Sequence, residues 1–148
     1  MKIALGCDHG GFHLKEAIKK HLEANDYEVT DVGTYSTDSV DFPNYALQVC
    51  QSVTKKESDY GILCCGTGIG MSIAANKNKG ILASVVSDTF SAKATKEHNN
   101  GNVLCLGERV IGEGLALTIV DTWLQAEFQG GRHENRVNQV RKMEQTLC

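Results

Sequence analysis

The sequence predicts an α/β protein, a three-layer α/β/α sandwich around a five-stranded parallel sheet with a C-terminal helical arm, and three observations carry that reading. Short β-rich apolar runs alternate five times with longer segments of helical period, the order that parallel strands joined by crossover helices require. One of these runs, Tyr60 to Cys65, is almost uninterruptedly apolar, as suits a strand covered on both faces. The chain has 148 residues, 41% hydrophobic and 22% charged, which fits a single core and one domain spanning 1–148.

Lys2 to Cys7 reads as the first strand, and Leu14, Ala17, Ile18 and Leu22 recur behind it at helical spacing. Asn25-Asp26 turns the chain into a second strand, Glu28 to Val32. The one proline, Pro43, suits the opening of a helix, where no amide donor is needed, and Tyr45, Leu47 and Val49 continue it. After the third strand, Gly66-Thr67-Gly68-Ile69-Gly70 leads into a helical segment through Ile73 and Ala74. Ile81 to Val86 is the fourth strand, Asp88 caps a helix running to about His98, and Val103 to Leu106 is the fifth strand. Gly112 to Ala126 supplies a helix with Leu115, Ile119 and Trp123 on one stripe and Ala116, Val120 and Leu124 beside it. Gly130-Gly131 reads as a hinge before a last helix marked by Val137, Val140, Met143 and Leu147. An open, Rossmann-like sheet of this kind binds ligands beyond the carboxyl ends of its strands.

Composition removes several function classes. Fifteen Lys and Arg against 18 Asp and Glu leave a net charge of −3, without the basic surplus that nucleic-acid binding demands. No apolar run approaches the ~20 residues that cross a bilayer. The N-terminal apolar stretch breaks at once into Asp8 and His9, so it reads as a strand and not as a secretion signal. Six cysteines occur without a C-x-x-C pair, mostly inside apolar runs, which points to the reducing cytoplasm.

The strand ends carry the chemistry. Gly66-Thr67-Gly68-Ile69-Gly70 lies between a strand and a helix, where glycines admit a ligand to the backbone and helix amides face it. An anion site, a nucleotide site and a purely structural turn all remain open for it, although a dinucleotide fingerprint would need glycine where Met71 stands. Cys65 ends the strand before this loop, while its neighbour Cys64 points to the opposite face. A thiol beside helix amides has its anion stabilised and becomes a usable base or nucleophile; the plainer reading is inert packing. Asp8 and His9 close the first strand in a glycine-rich turn that needs neither for folding. His98 and Asn99 stop a helix, where a histidine also complements the dipole. Arg132 and Arg136, four apart, could grip a phosphate together or simply form a solvated face. A metal site from Asp8, His9, Cys65 and His98 lacks any close ligand pair and is not expected.

Taken together these segments match a known pattern. Gly6-Cys7-Asp8-His9-Gly10-Gly11-Phe12-x-Leu14-Lys15, Asp41-Phe42-Pro43-x-Tyr45-Ala46, Cys65-Gly66-Thr67-Gly68-Ile69-Gly70 with Ala74-Ala75-Asn76-Lys77, His98-Asn99-x-x-Asn102-Val103-Leu104, and Gly130-Gly131-Arg132-His133-x-x-Arg136-Val137 follow in order. Over nearly the whole chain the sequence resembles the type B ribose-5-phosphate isomerases, of the family that also holds the galactose-6-phosphate isomerase subunits. The resemblance implies interconversion of D-ribose 5-phosphate and D-ribulose 5-phosphate, a step of the non-oxidative pentose phosphate pathway, without a metal or organic cofactor. It implies Cys65 as the base and an anion hole from Gly66, Thr67, Gly68, Gly70 and Asn99. It further implies His98 as the ring opener, Asp8 on a substrate hydroxyl, and His9, Arg109, Arg132 and Arg136 on the phosphate. Some relatives use a glutamate from the following helix instead, but no acidic residue lies between Cys65 and Asp88, which favours the cysteine type. The resemblance also implies a homodimer or a dimer of dimers, with the arm 132–148 packing on a partner and its arginines reaching the neighbouring site. The rival readings are a preference for a six-carbon aldose phosphate such as D-allose 6-phosphate or galactose 6-phosphate, and a non-catalytic phosphosugar or nucleotide-binding module. Cys65, Thr67 and His98 together speak against the last.

Overall fold

A computed structural model, which describes residues 1–146, joins five parallel strands into one sheet in the order β2-β1-β3-β5-β4. The strands are β1 (Lys2–Cys7), β2 (Glu28–Asp31), β3 (Tyr60–Cys65), β4 (Ala83–Val85) and β5 (Val103–Gly107). The helices between and after them are α1 (Phe12–Ala24), α2 (Phe42–Thr54), α3 (Ile69–Ala75), α4 (Thr89–Glu97), α5 (Glu113–Gln125) and α6 (Arg132–Thr146). The predicted sandwich is therefore the observed one. Register sets Cys7 beside Cys64 and Cys65 beside Gly107, so the carboxyl ends of the three central strands finish level.

Strand alternation splits the core in two. Ile3, Leu5, Ile62, Cys64, Leu104 and Leu106 face α1, α4 and α5, whereas Ala4, Leu63, Cys65, Val103 and Cys105 face α2 and α3. On α5, Ala116, Ile119, Val120, Trp123 and Leu124 are buried as the periodicity predicts, but Leu115 in the first turn stays exposed. Each fully buried Leu or Ile contributes about 1.5–3 kcal/mol. Pro43 does sit in the first turn of α2, and Asp88 does cap α4, its Oδ1 accepting the Ser91 amide at 2.6 Å.

Two strands are shorter than predicted, for a local reason. In place of a longer β4, Ile81 donates to Asn78 O at 3.2 Å and Leu82 to Asn102 Oδ1 at 2.8 Å, so a turn and a side chain take the hydrogen bonds a ladder would have used. At the end of β2, Asp31 is drawn to Lys15, a fully buried lysine whose Nζ donates to both carboxylate oxygens at 3.0 and 2.8 Å. Gly130 and Gly131 both have positive φ, and α6 returns along its own chain, burying Val137 and taking the Gly80 amide on Glu144 at 3.0 Å. Val140 and Met143 remain exposed, and Leu147 of the predicted stripe lies outside the described residues.

Candidate functional site

Three loops meet at the carboxyl end of the sheet because glycines occupy their closest approaches. Asp8 turns the chain out of β1, its Oδ1 accepting the Gly10 amide at 2.8 Å, and His9–Gly11 form a single 3-10 turn. Gly11 then lies against the Cys64–Cys65 peptide, where a side chain would overlap the Cys64 carbonyl. After β5 the Glu108 and Arg109 amides donate to Cys65 O and Gly66 O at 2.9 and 3.0 Å, which brings the Arg109 guanidinium over Gly66.

Cys65 ends β3 inside this ring of loops. Its sulfur accepts the Gly68 amide at 3.0 Å, a geometry that needs the left-handed φ of +80° which glycine adopts without strain. Thr67 Oγ1 accepts the Ile69 amide at 3.2 Å, so the loop curls its donors toward the sulfur and the hydroxyl. Gly70, in the first turn of α3, makes room for the Phe42 ring. Burial pushes the thiols of Cys7 and Cys50 up to about 12 and those of Cys64 and Cys105 well above the ordinary value.

Beside the sulfur loop, Asp8 and His9 line a cavity of about 450 Å³ with Asp41, Phe42 and Pro43. His9 Nδ1 accepts the Val40 amide at 3.2 Å, which leaves the proton on Nε2. The Asp41-Phe42-Pro43 motif is thereby placed against the same strand ends.

The remaining predicted residues stand elsewhere. Because α4 starts at the carboxyl end of the sheet and runs back, His98 and Asn99 come out at the opposite end, before β5 begins. Cys65 and His98 are thus separated by the length of a five-residue strand, at about 3.3 Å per residue. There His98 and Asn99 share a cavity of about 330 Å³ with Ser84, Thr95, His133 and Arg136. The His98 and His133 rings stack with centroids 4.4 Å apart and planes 11° from parallel. His133 lies below its ordinary pKa through loss of solvent and the electrostatic influence of its neighbours His98, Arg132 and Arg136. In the sequence, the one signal for His133 is its place in the Gly130-to-Val137 motif. Asp8, His9, Cys65, Gly66, Thr67, Gly68, Gly70 and Arg109 therefore form one group, and His98, Asn99 and Arg136 another, with Arg132 exposed at the start of α6. Among the described residues no three His, Cys, Asp or Glu side chains converge so as to hold a metal ion, and no helix is long and apolar enough to cross a membrane.

Residues 3–140 match the family model described as Ribose/Galactose Isomerase. The chain is 52% identical over 144 residues to ribose-5-phosphate isomerase B of Escherichia coli (strain K12), covering 97% of each sequence. It superposes on a structure of ribose-5-phosphate isomerase B from Clostridium thermocellum with a TM-score of 0.99, at 51% identity and covering 100% of both chains. A ribose-5-phosphate isomerase B from Mycoplasma genitalium, solved with bound ribulose-5-phosphate, superposes with a TM-score of 0.93 at 40% identity, over 97% of this chain and 96% of that one.

Proposed function

The chain belongs to the ribose/galactose isomerase family, and from that membership we propose that it interconverts D-ribose 5-phosphate and D-ribulose 5-phosphate with Cys65 as the base. The observation that carries this reading is the 3.0 Å hydrogen bond from the Gly68 amide to Cys65 Sγ, a donor held against the one described cysteine placed at the mouth of the glycine loop. An amide aimed at sulfur favours its anion, and the anion is the form that takes a proton.

In this reading His98 first takes the proton of the C1 hydroxyl and delivers a proton to the ring oxygen as the C1–O bond breaks, leaving the open-chain aldehyde. The Cys65 thiolate then takes the proton from C2. The C–H electron pair becomes the C1=C2 bond, and the carbonyl pair moves onto O1, where the Gly66–Gly70 loop and Asn99 receive the charge. Each preorganised donor of this kind contributes roughly 3 kcal/mol to the transition state. The O2 proton passes to O1, the Cys65 thiol returns its proton to C1, and C2 becomes the ketone carbonyl. Asp8 would hold a substrate hydroxyl, and His9, Arg109, Arg132 and Arg136 the phosphate.

These steps call for Cys65 and His98 in one site, and one chain holds them at opposite ends of its sheet. A homodimer, alone or paired into a tetramer, resolves this by setting one subunit's Cys65 group against the other's His98 and arginines. Exposed Ile69 and Ile73, one turn apart on α3, and exposed Val85 on the edge strand give an apolar face beside the glycine loop for that second copy. Five described cysteines are unpaired, which suits the reducing cytoplasm. The deciding experiment incubates purified protein separately with ribose 5-phosphate and allose 6-phosphate and follows ketose formation. The reading expects the higher kcat/KM with the five-carbon sugar; a six-carbon preference reassigns the substrate, and binding of both without turnover makes the protein a sensor.

A further inference from the structure

We propose that His133 is a positioning residue for His98, its imidazole lying face to face on the His98 ring so that the ring's nitrogen edge is presented to the substrate in one orientation. The inference rests on the reading of His98 as the ring-opening group. A histidine that moves protons is ordinarily aligned by a hydrogen bond to one ring nitrogen. Among the described residues no hydrogen bond from a side chain or the backbone holds the His98 imidazole at the C-terminal cap of α4. What meets it is the His133 ring, at 4.4 Å between centroids and 11° between planes. Stacking fixes the plane of the ring and leaves both nitrogens, which lie on its edge, open for proton transfer.

The helix that carries His133 is tied to the body of the chain. Its amide donates to Gly130 O at 3.1 Å, closing the first turn of α6, and one turn on Val137 is buried to 6% exposure against the body of the chain. Further along the same helix Glu144 takes the Gly80 amide. Arg132 and Arg136 flank His133 on α6, so the helix that would seat the phosphate also carries the ring that orients His98.

The test compares His133→Ala, which removes the stack, with His133→Phe, which keeps an aromatic face and removes the ring nitrogens, and runs His98→Asn beside them. Two rates are read: turnover of ribose 5-phosphate, which needs ring opening, and solvent deuterium uptake at C1 of ribulose 5-phosphate, which is already open-chain and needs only the base. His133→Ala should lower turnover by about 10- to 100-fold, the scale of a misplaced catalytic group, with deuterium uptake within about twofold of wild type, and His133→Phe should regain most of the turnover. Equal loss of both rates in His133→Ala without recovery in His133→Phe would make His133 a phosphate contact and overturn the proposal, as would unchanged turnover in His133→Ala. If His98→Asn itself loses deuterium uptake as fully as turnover, the ring-opening role of His98 falls. The stacking role then stands only if His133→Ala follows His98→Asn in both rates and His133→Phe recovers both.

Discussion

Alternation along β3 sends the Cys64 side chain into the core against α1 and α5 and the Cys65 side chain toward the glycine loop. Adjacent residues of one type therefore make opposite predictions. Cys65→Ala should lower kcat by about a thousandfold, within the range for loss of a group that moves the proton, while sugar-phosphate binding by calorimetry persists. Cys64→Ala should leave kcat near wild type and cost about 1 kcal/mol in urea unfolding, the scale of a small buried truncation. A second residue is notable for what surrounds it. Lys96 is buried to 2% exposure, with Nζ 3.6 Å over the Tyr60 ring and 4.1 Å over the Trp123 ring, and its one hydrogen bond, to Trp123 O, is 3.3 Å long. Burial lowers its pKa to about 8, from an ordinary 10.5. Above pH 8 the unfolded chain keeps this proton more readily than the folded one, so folding releases it and the residue's contribution to stability rises with pH. The difference in unfolding free energy between wild type and Lys96→Met should therefore shift in favour of wild type by up to about 1.4 kcal/mol per pH unit from about pH 8 to 10. A flat difference across that range would show that the two rings hold the ammonium well enough to cancel its loss of water.

At the scale of elements, the site depends on how closely the strand ends pack. Gly11 carries the loop after β1 onto the Cys64–Cys65 peptide, and Gly107 carries the loop after β5 onto Thr67, where a Cβ would come within 2.6 Å of the carbonyl carbon and oxygen. Glu108, next along, accepts the Leu14 amide at 2.6 Å and so ties the β5 loop to the first turn of α1. Gly11→Ala should consequently cost about 1–3 kcal/mol, as overpacking does, and lower kcat/KM by parting the loops around Cys65. Gly112→Ala is the matched control, because nothing lies within 4 Å of the added methyl. Its unfolding midpoint should stay close to wild type, and equal destabilisation of both variants would show that glycine is needed for its backbone and not for close approach.

At the scale of the molecule, parallel topology places the start of every crossover helix at one end of the sheet and its finish at the other. Cys65 ends a strand and His98 follows a helix, so a single chain holds them apart. Two inactive proteins, Cys65→Ala and His98→Asn, should then restore activity to each other once their subunits exchange. Half the dimers in an equal mixture are mixed, and each mixed dimer has one complete site of two, so recovery should approach about a quarter of wild type. Cys65→Ala mixed with the double variant Arg132→Ala/Arg136→Ala should behave alike. Failure after exchange is verified by mass spectrometry would remove the shared site from the proposal.

Sequence by itself determined the sandwich, the positions of nearly all its elements and the place of the Cys65-to-Gly70 loop between a strand end and a helix start, because period, capping residues and glycine placement act over a few neighbours. The ends of β2 and β4 escaped it, since Lys15 reaching Asp31 and Asn102 reaching Leu82 are contacts between distant segments. The same holds for His133, whose partner His98 is brought to it by the return of α6 along the chain. Motifs in sequence order gathered Asp8, Cys65, His98 and Asn99 into one functional group, and they carry no information about which end of a strand each one occupies. Only the tertiary structure divided that group in two, because the direction in which a crossover helix runs relative to its strand is a property of the sheet and of no residue in it.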